Sequence, residues 1–328
     1  MDKFLSLDSE ERSNLFIEVA ARTGISDVSA EKDFWVCYCL DYLFNRYKGK
    51  DYLIFKGGTS LSKAYRLVCR FSEDIDIILD PKALGADLEL PSLHDARNQK
   101  EKRRKIIEEK TSAFLTDKFL PAFNAEVAAP LGARPAELKD GVIDFHYPAV
   151  FPGGYIRNTV KLEISPLASW LPFEERQIAS YVAEKFPDLF ERESFKVRVT
   201  NAEFTFWEKI LILHGIASSD KMPLARMSRH YYDLFMMAEN SELKEKAFSH
   251  PEFLMQSRDF SQTFYPSNSA GYATAEIGQL QLIPDAEKLS ALEEDCYAMR
   301  EMFFEKPPVF AEIIDSLGQL EGEINGKF

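Results

Sequence analysis

The 328-residue chain is 45% hydrophobic and 28% charged, the balance of a globular protein with well-formed cores, and its length suits two domains. No run approaches the roughly eighteen apolar residues of a membrane span, and the acidic start MDKFLSLD is unlike a signal peptide, so a cytoplasmic location is expected. The net charge of −13 excludes a general nucleic-acid coat, because binding to phosphate backbones needs cations.

That charge is uneven. Residues 96–110 carry seven basic and three acidic side chains, whereas residues 285–328 carry four basic and eleven acidic ones. The basic strip can serve a nucleic-acid partner, and its alternative is a solvated helix face. The four cysteines, Cys37, Cys39, Cys69 and Cys296, form no CxxC pair, so neither a zinc site nor a disulfide framework is indicated.

In chain order, helices are expected at about 8–22, ended by Gly24, and from Ser29 to about 47, with Phe34, Cys37, Tyr38, Leu40 and Leu43 inward. A strand Tyr52–Phe55 precedes Gly57-Gly58 and a helix over Thr59–Leu67, and Ile75–Leu79 forms the next strand, ended by Asp80-Pro81. A basic helix covers about 93–125. Strands Val142–Tyr147 and Thr159–Ser165 flank a Pro-Gly-Gly loop at 152–154. A helix near 174–186 and a strand near 195–200 follow. Beyond Asn201 the pattern is helical, at 202–217, 223–239, 251–262, 286–304 and 308–319. The order implies an α+β domain over 1–200, a mixed β-sheet with flanking helices, followed by a C-terminal helical domain over 201–328.

The chemistry concentrates in two pieces. In Arg70-Phe-Ser72-Glu-Asp74-Ile-Asp76-Ile77, the carboxylates of Asp74 and Asp76 alternate with Ile75 and Ile77. A strand therefore points both carboxylates to one face and both isoleucines to the other. Two adjacent like charges call for a cation, and oxygen-only ligands suit Mg²⁺. Some fifteen residues earlier, Gly57-Gly58 allows close backbone approach, and Thr59-Ser60 opens a helix whose free N–H groups favour phosphate. Together they form the layout for a metal-bridged nucleoside triphosphate.

These residues closely resemble the signature of the AbiEii/AbiGii-type nucleotidyltransferase toxins, members of the DNA polymerase beta-like nucleotidyltransferase superfamily. The likeness extends to Phe206-Trp-Glu-Lys209-Ile-Leu, similar to a family helix with an essential lysine. It also covers Arg226-Met-Ser-Arg229-His230-Tyr-Tyr-Asp233-Leu, similar to an Arg-rich helix ending in a functional aspartate. It spans roughly residues 50–240. The resemblance implies a nucleotidyltransferase fold whose helical domain closes the active-site cleft, an NTP substrate, Mg²⁺ with Mn²⁺ as an alternative, an RNA or tRNA acceptor and a cognate antitoxin.

It also implies a third carboxylate from a neighbouring strand. Glu163 fits best, with Lys161 on its face, and Asp144 is the runner-up. The expected metal set is Asp74, Asp76 and Glu163; the nucleotide cradle is Gly57, Gly58, Thr59, Ser60 and Ser72, with Lys209. The catalytic set adds Lys209 and Asp233.

Lys209 stands out independently: its helix is apolar nearly all round, so the ammonium must reach a cleft, an anion or a paired carboxylate. Arg226, His230 and Asp233 share one helix face, where Asp233 orients a base, the acceptor or Lys209, or simply pairs with Arg229. His94, His146, His214 and His250 have no ligand spacing to one another. Rival readings are nucleotide transfer onto a protein or small molecule, and a catalytically silent nucleotide-binding module.

Overall fold

The computed structural model describes residues 1–72, 74–152, 157–170, 172–265, 271–304 and 306–327. The chain divides into two compact units. The first comprises Met1–Ala64, Phe71–Leu88 and Ile107–Thr200; the second comprises Tyr65–Arg70, Glu89–Ile106 and Asn201–Phe328. Residues 65–70 and 89–106, expected in the first domain, thus belong to the second unit. Long-range contacts are the reason. Arg70 pairs with Asp233, Lys100 donates to the Gln262 carbonyl, and the Arg104 guanidinium lies 5.1 Å from the centre of the Tyr265 ring.

The first unit is α+β. Its seven strands are β1 (Leu53–Lys56), β2 (Asp74–Leu79), β3 (Glu137–Lys139), β4 (Val142–Phe145), β5 (Val160–Ser165), β6 (Phe173–Ile178) and β7 (Phe195–Thr200). They form one mixed sheet in the order β3-β4-β5-β2-β1-β7-β6, with β2 parallel to β5 and antiparallel to β1. Helices α1 (Asp2–Leu5), α2 (Ser9–Thr23), α3 (Asp27–Asp41), α4 (Gly57–Lys63) and α7 (Tyr181–Lys185) accompany the sheet. The N-cap of helix α3 is Ser26, whose hydroxyl accepts the Ser29 N–H, so the helix starts earlier than expected, at Asp27. It is buried on every face from Ser29 onward, and the Phe4, Phe16 and Phe190 rings pack against its Phe34. The Cys37 and Cys39 thiols are buried in that helix as packing groups.

One expected element is wrong in type. The stretch near 174–186 is not a helix but the edge strand β6 and then the one-turn helix α7. Its run Glu174-Glu-Arg-Gln177 has helix-forming residues, yet all six residues of the strand pair with β7, so tertiary pairing overrides local preference. The cross-strand pair Lys196–Glu175 at 2.9 Å helps hold it. Strand β3 and helix α10 (Ser241–Phe248) have no counterpart in the sequence-based outline. Of the expected Pro-Gly-Gly loop, Gly153 and Gly154 lie outside the described residues, as does Glu73.

The basic helix is α5 (Arg97–Phe114), continued by α6 (Leu120–Phe123), and its first ten residues belong to the second unit. That unit is otherwise helical: α8 (Ala202–Ser218), α9 (Ser228–Glu239), α10, α11 (Glu252–Phe264), α12 (Ala286–Ala298) and α13 (Phe310–Lys327). Helix α8 is its hub and packs on α9, α10 and α11, with the Trp207 indole donating to the Ala247 carbonyl at 2.8 Å. Such a position explains why α8 is apolar all round. Among the described residues no helix is long and apolar enough to cross a membrane.

Candidate active site

Two groups of the sequence-flagged residues come together, one in each unit. In the first, β2 alternates as its sequence requires: Ile75 and Ile77 are buried, whereas Asp74 and Asp76 are half-buried on the opposite face. Parallel pairing sets Asp76 against Glu163 and Asp74 against Lys161, while the antiparallel β1 places Lys56 beside Asp76. Asp144 lies in register with Lys161 one strand further out, so both third-carboxylate candidates share this face. Glu163 is exposed and adjacent to Asp76; Asp144 is two strands from β2.

The glycine pair is fitted to this face. Gly57 has φ +79°, and a side-chain carbon there would land on the Asp76 carboxylate, 2.7 Å from its Cγ. Backbone and carboxylate can therefore approach only because residue 57 is glycine. Gly57→Ala is expected to cost about 1–3 kcal/mol of stability, from strain and displacement of Asp76, and to lower transfer. A thermal melt beside a transfer assay checks both, and wild-type values in each would contradict this fit.

Thr59 and Ser60, expected to cradle phosphate, are buried, and their hydroxyls face inward. Thr59 donates to the Asp74 carbonyl at 2.5 Å and Ser60 to the Gly57 carbonyl at 2.8 Å. Thr59 thereby latches α4 to the start of β2. Ser72 stands half-buried at the entry to β2. Helix α4 is anchored at its far end by a pair that sequence reasoning missed: Lys63 meets Asp33 of α3 at 2.6 Å. Burial would lower the Lys63 pKa, but Asp33 outweighs it and holds the ammonium charged. Glu31, Lys32 and Asp33 are all buried on α3. Glu31 accepts the Val150 and Phe151 N–H groups, and Lys32 donates to the Arg157 carbonyl. Three consecutive charged residues inside an apolar helix were the available signal.

The described residues contain no ready group of three or more His, Cys, Asp or Glu side chains that would hold a metal. Asp74 and Asp76 still fit Mg²⁺, which keeps waters and is bound through one or two carboxylates plus substrate phosphates. The glycine-lined approach to Asp76 leaves that carboxylate beside bare backbone, as such a site needs.

In the second unit Arg70, Lys209, His230 and Asp233 form one cluster. Asp233 of α9 is fully buried and takes a bidentate pair from Arg70, Nε to Oδ1 at 2.6 Å and Nη2 to Oδ2 at 2.7 Å. Lys209 of α8 donates to the same Oδ2 at 2.6 Å and to His230 Nδ1 at 3.1 Å. Lys209 is thus carboxylate-paired, and Asp233 pairs with Arg70 and Lys209. Burial would raise the Asp233 pKa, but the two cations hold it well below the carboxylate range. Burial lowers Lys209, and Asp233 opposes this; burial and the Lys209 charge keep His230 well below the usual histidine value. One buried carboxylate thus takes hydrogen bonds from two cationic side chains.

His230 carries a pH consequence. The unfolded imidazole takes a proton near pH 6.5 that the native one refuses, so stability is present above that value and falls with pH below it. His214, also lowered by burial, acts in the same sense. His230→Gln is expected to flatten denaturant-derived stability between pH 7 and 5, where each such group contributes a slope of at most about 1.4 kcal/mol per pH unit. An unchanged slope would contradict the neutral assignment.

A glycine-paired β-turn-helix feeding a DxD strand on a mixed sheet, with a helical unit in the same chain, is the arrangement of a nucleotidyltransferase-type protein. The family model for the nucleotidyl transferase AbiEii toxin of type IV toxin–antitoxin systems matches residues 40–316, and the chain belongs to that family; it is a nucleotidyltransferase enzyme. Among solved structures it is similar to MenT4, a nucleotidyltransferase toxin from Mycobacterium tuberculosis, at 14% identity and TM-score 0.45, covering 96% of this chain and 97% of that one. No curated protein matches its sequence.

Proposed function

We propose that this enzyme moves a nucleotidyl group from an NTP onto a hydroxyl of an RNA such as tRNA, and that a cognate antitoxin restrains it. The observation that carries the reading is the paired Asp74 and Asp76 face of β2, with the Gly57 backbone set against Asp76. Asp74 and Asp76 would hold a divalent cation, Mg²⁺ or Mn²⁺, with Glu163 alongside in register. When bound, that ion supplies charge neutralisation for the triphosphate and activation of the acceptor hydroxyl. Gly57 and Gly58 offer backbone donors to phosphate oxygens, and Ser72 assists. Lys209 neutralises charge on the triphosphate, and Asp233 fixes the direction of its ammonium.

An RNA acceptor is favoured by α5, whose Arg97, Lys102 and Lys105 are exposed on the basic strip. The net charge of −13 favours the second reading, a protein or small-molecule hydroxyl. Incubating the protein with each α-labelled NTP and cell extract separates them by which species takes up label. A binding test needs no acceptor. A ligand that binds only the native state raises its melting temperature. NTP with Mg²⁺ is expected to do so, and NTP with a chelator is not. Equal shifts would show that the carboxylates do not work through a cation.

A further inference from the structure

Helix α9 has no N-cap of its own: Met227 stands at the cap position and offers no side-chain acceptor. The cap comes from α12, far along the chain. Asp295 accepts the Arg226 N–H through Oδ1 at 2.6 Å, and the Ser228 N–H and hydroxyl through Oδ2 at 2.9 and 2.6 Å. Arg226 is held at φ +66°, a left-handed conformation that costs a non-glycine residue about 1 kcal/mol or more. A carboxylate gathering three donors can hold that strain.

The stretch after α12 grips the other side of the cluster. Phe304 N–H donates to the Cys69 carbonyl at 3.0 Å, and Phe303 forms an antiparallel bridge with Arg70. Cys69 N–H donates to the Tyr232 hydroxyl at 3.2 Å, and the Phe303 ring meets Tyr232 edge-on at 4.7 Å. Residues 295–304 thus fix both Arg70 and α9, the two elements that meet at Asp233. Lys209 donates at once to Asp233 and His230, three residues apart on α9, so a small rotation of α9 must lengthen one of these bonds.

We infer that Asp295 is a positioning residue for the transfer reaction: by capping α9 from α12, it fixes the rotation at which α9 presents His230 and Asp233 to Lys209. The inference rests on the reading that the Arg70–Asp233–Lys209 cluster serves transfer. A cap serving stability alone would leave the Lys209–His230 contact intact once the variant folds.

The test uses the full chain with Asp295→Ala, Asp295→Asn and Ser228→Ala. Its two readouts are the His230 imidazole titration by NMR and steady-state transfer from an α-labelled NTP. In Asp295→Ala, His230 is expected to titrate closer to the ordinary histidine range, and kcat to fall about ten- to hundredfold at unchanged KM. Asp295→Asn, which keeps one carbonyl acceptor, recovers part of both. Ser228→Ala, which loses only the hydroxyl bond, moves both the same way by less, and decides the matter if Asp295→Ala does not fold. A folded variant whose His230 titrates as in the wild type overturns the inference. A wild-type chain without transfer activity overturns the underlying reading instead, and the His230 titration still judges Asp295.

Discussion

Asp74→Ala and Asp76→Ala are each expected to cut nucleotidyl transfer by about 10²- to 10³-fold or more while leaving the protein folded. Each removes one of the two carboxylates that β2 presents together, and neither is a core residue: both are half-buried, on the face away from Ile75 and Ile77. Removing one of two adjacent like charges also relieves repulsion, so the melting temperature is expected to hold or rise slightly. Transfer rates beside thermal melts check the pair of claims. Full activity in either variant would remove the two-carboxylate mechanism.

Asp233→Ala is expected to behave in the opposite way, with a large loss of stability. Arg70 is 2% exposed and Lys209 6%, and both lean on this one carboxylate. Deleting it takes away the carboxylate that both buried cations share, a loss of about 3–5 kcal/mol. Lys209→Ala removes a cation instead and leaves the Arg70–Asp233 pair whole, so it is expected to stay folded and lose transfer. Denaturant unfolding of both variants beside their transfer rates separates the roles. If Lys209→Ala transfers like the wild type, the second unit supports the fold only. An Asp233→Ala chain as stable as the wild type would mean the cluster does not hold the charges assigned to it.

What could be read from sequence followed from local periodicity. Asp74 and Asp76 alternate with isoleucines, and period two alone puts both carboxylates on one face. Lys209 was conspicuous because its neighbours on α8 are apolar. Orienting Lys209 was among the roles open to Asp233 on the next helix, but the Arg70 that completes the cluster lies 163 residues from Asp233, and no local pattern encodes that pairing. The same limit applies to Asp295, whose capping of Arg226 and Ser228 spans 67 to 69 residues. Thr59 and Ser60 were legible as polar residues at a helix start, but which way their hydroxyls turn depends on the Asp74 and Gly57 carbonyls they meet. Strand β6 was misread because its solvent-facing Glu and Arg side chains carry no alternation. Its state is set by its partner β7, across 21 residues at the Lys196–Glu175 pair.

The most direct measurement compares two radiolabelled forms of each NTP, one labelled at the α-phosphate and one at the γ-phosphate, incubated with the enzyme, Mg²⁺ and cellular RNA. Nucleotidyl transfer retains the α label on an acceptor and releases the γ label as pyrophosphate, and Asp74→Ala and Asp76→Ala should abolish both. Acceptors labelled from the γ position, or α labelling undiminished in both variants, would contradict the account.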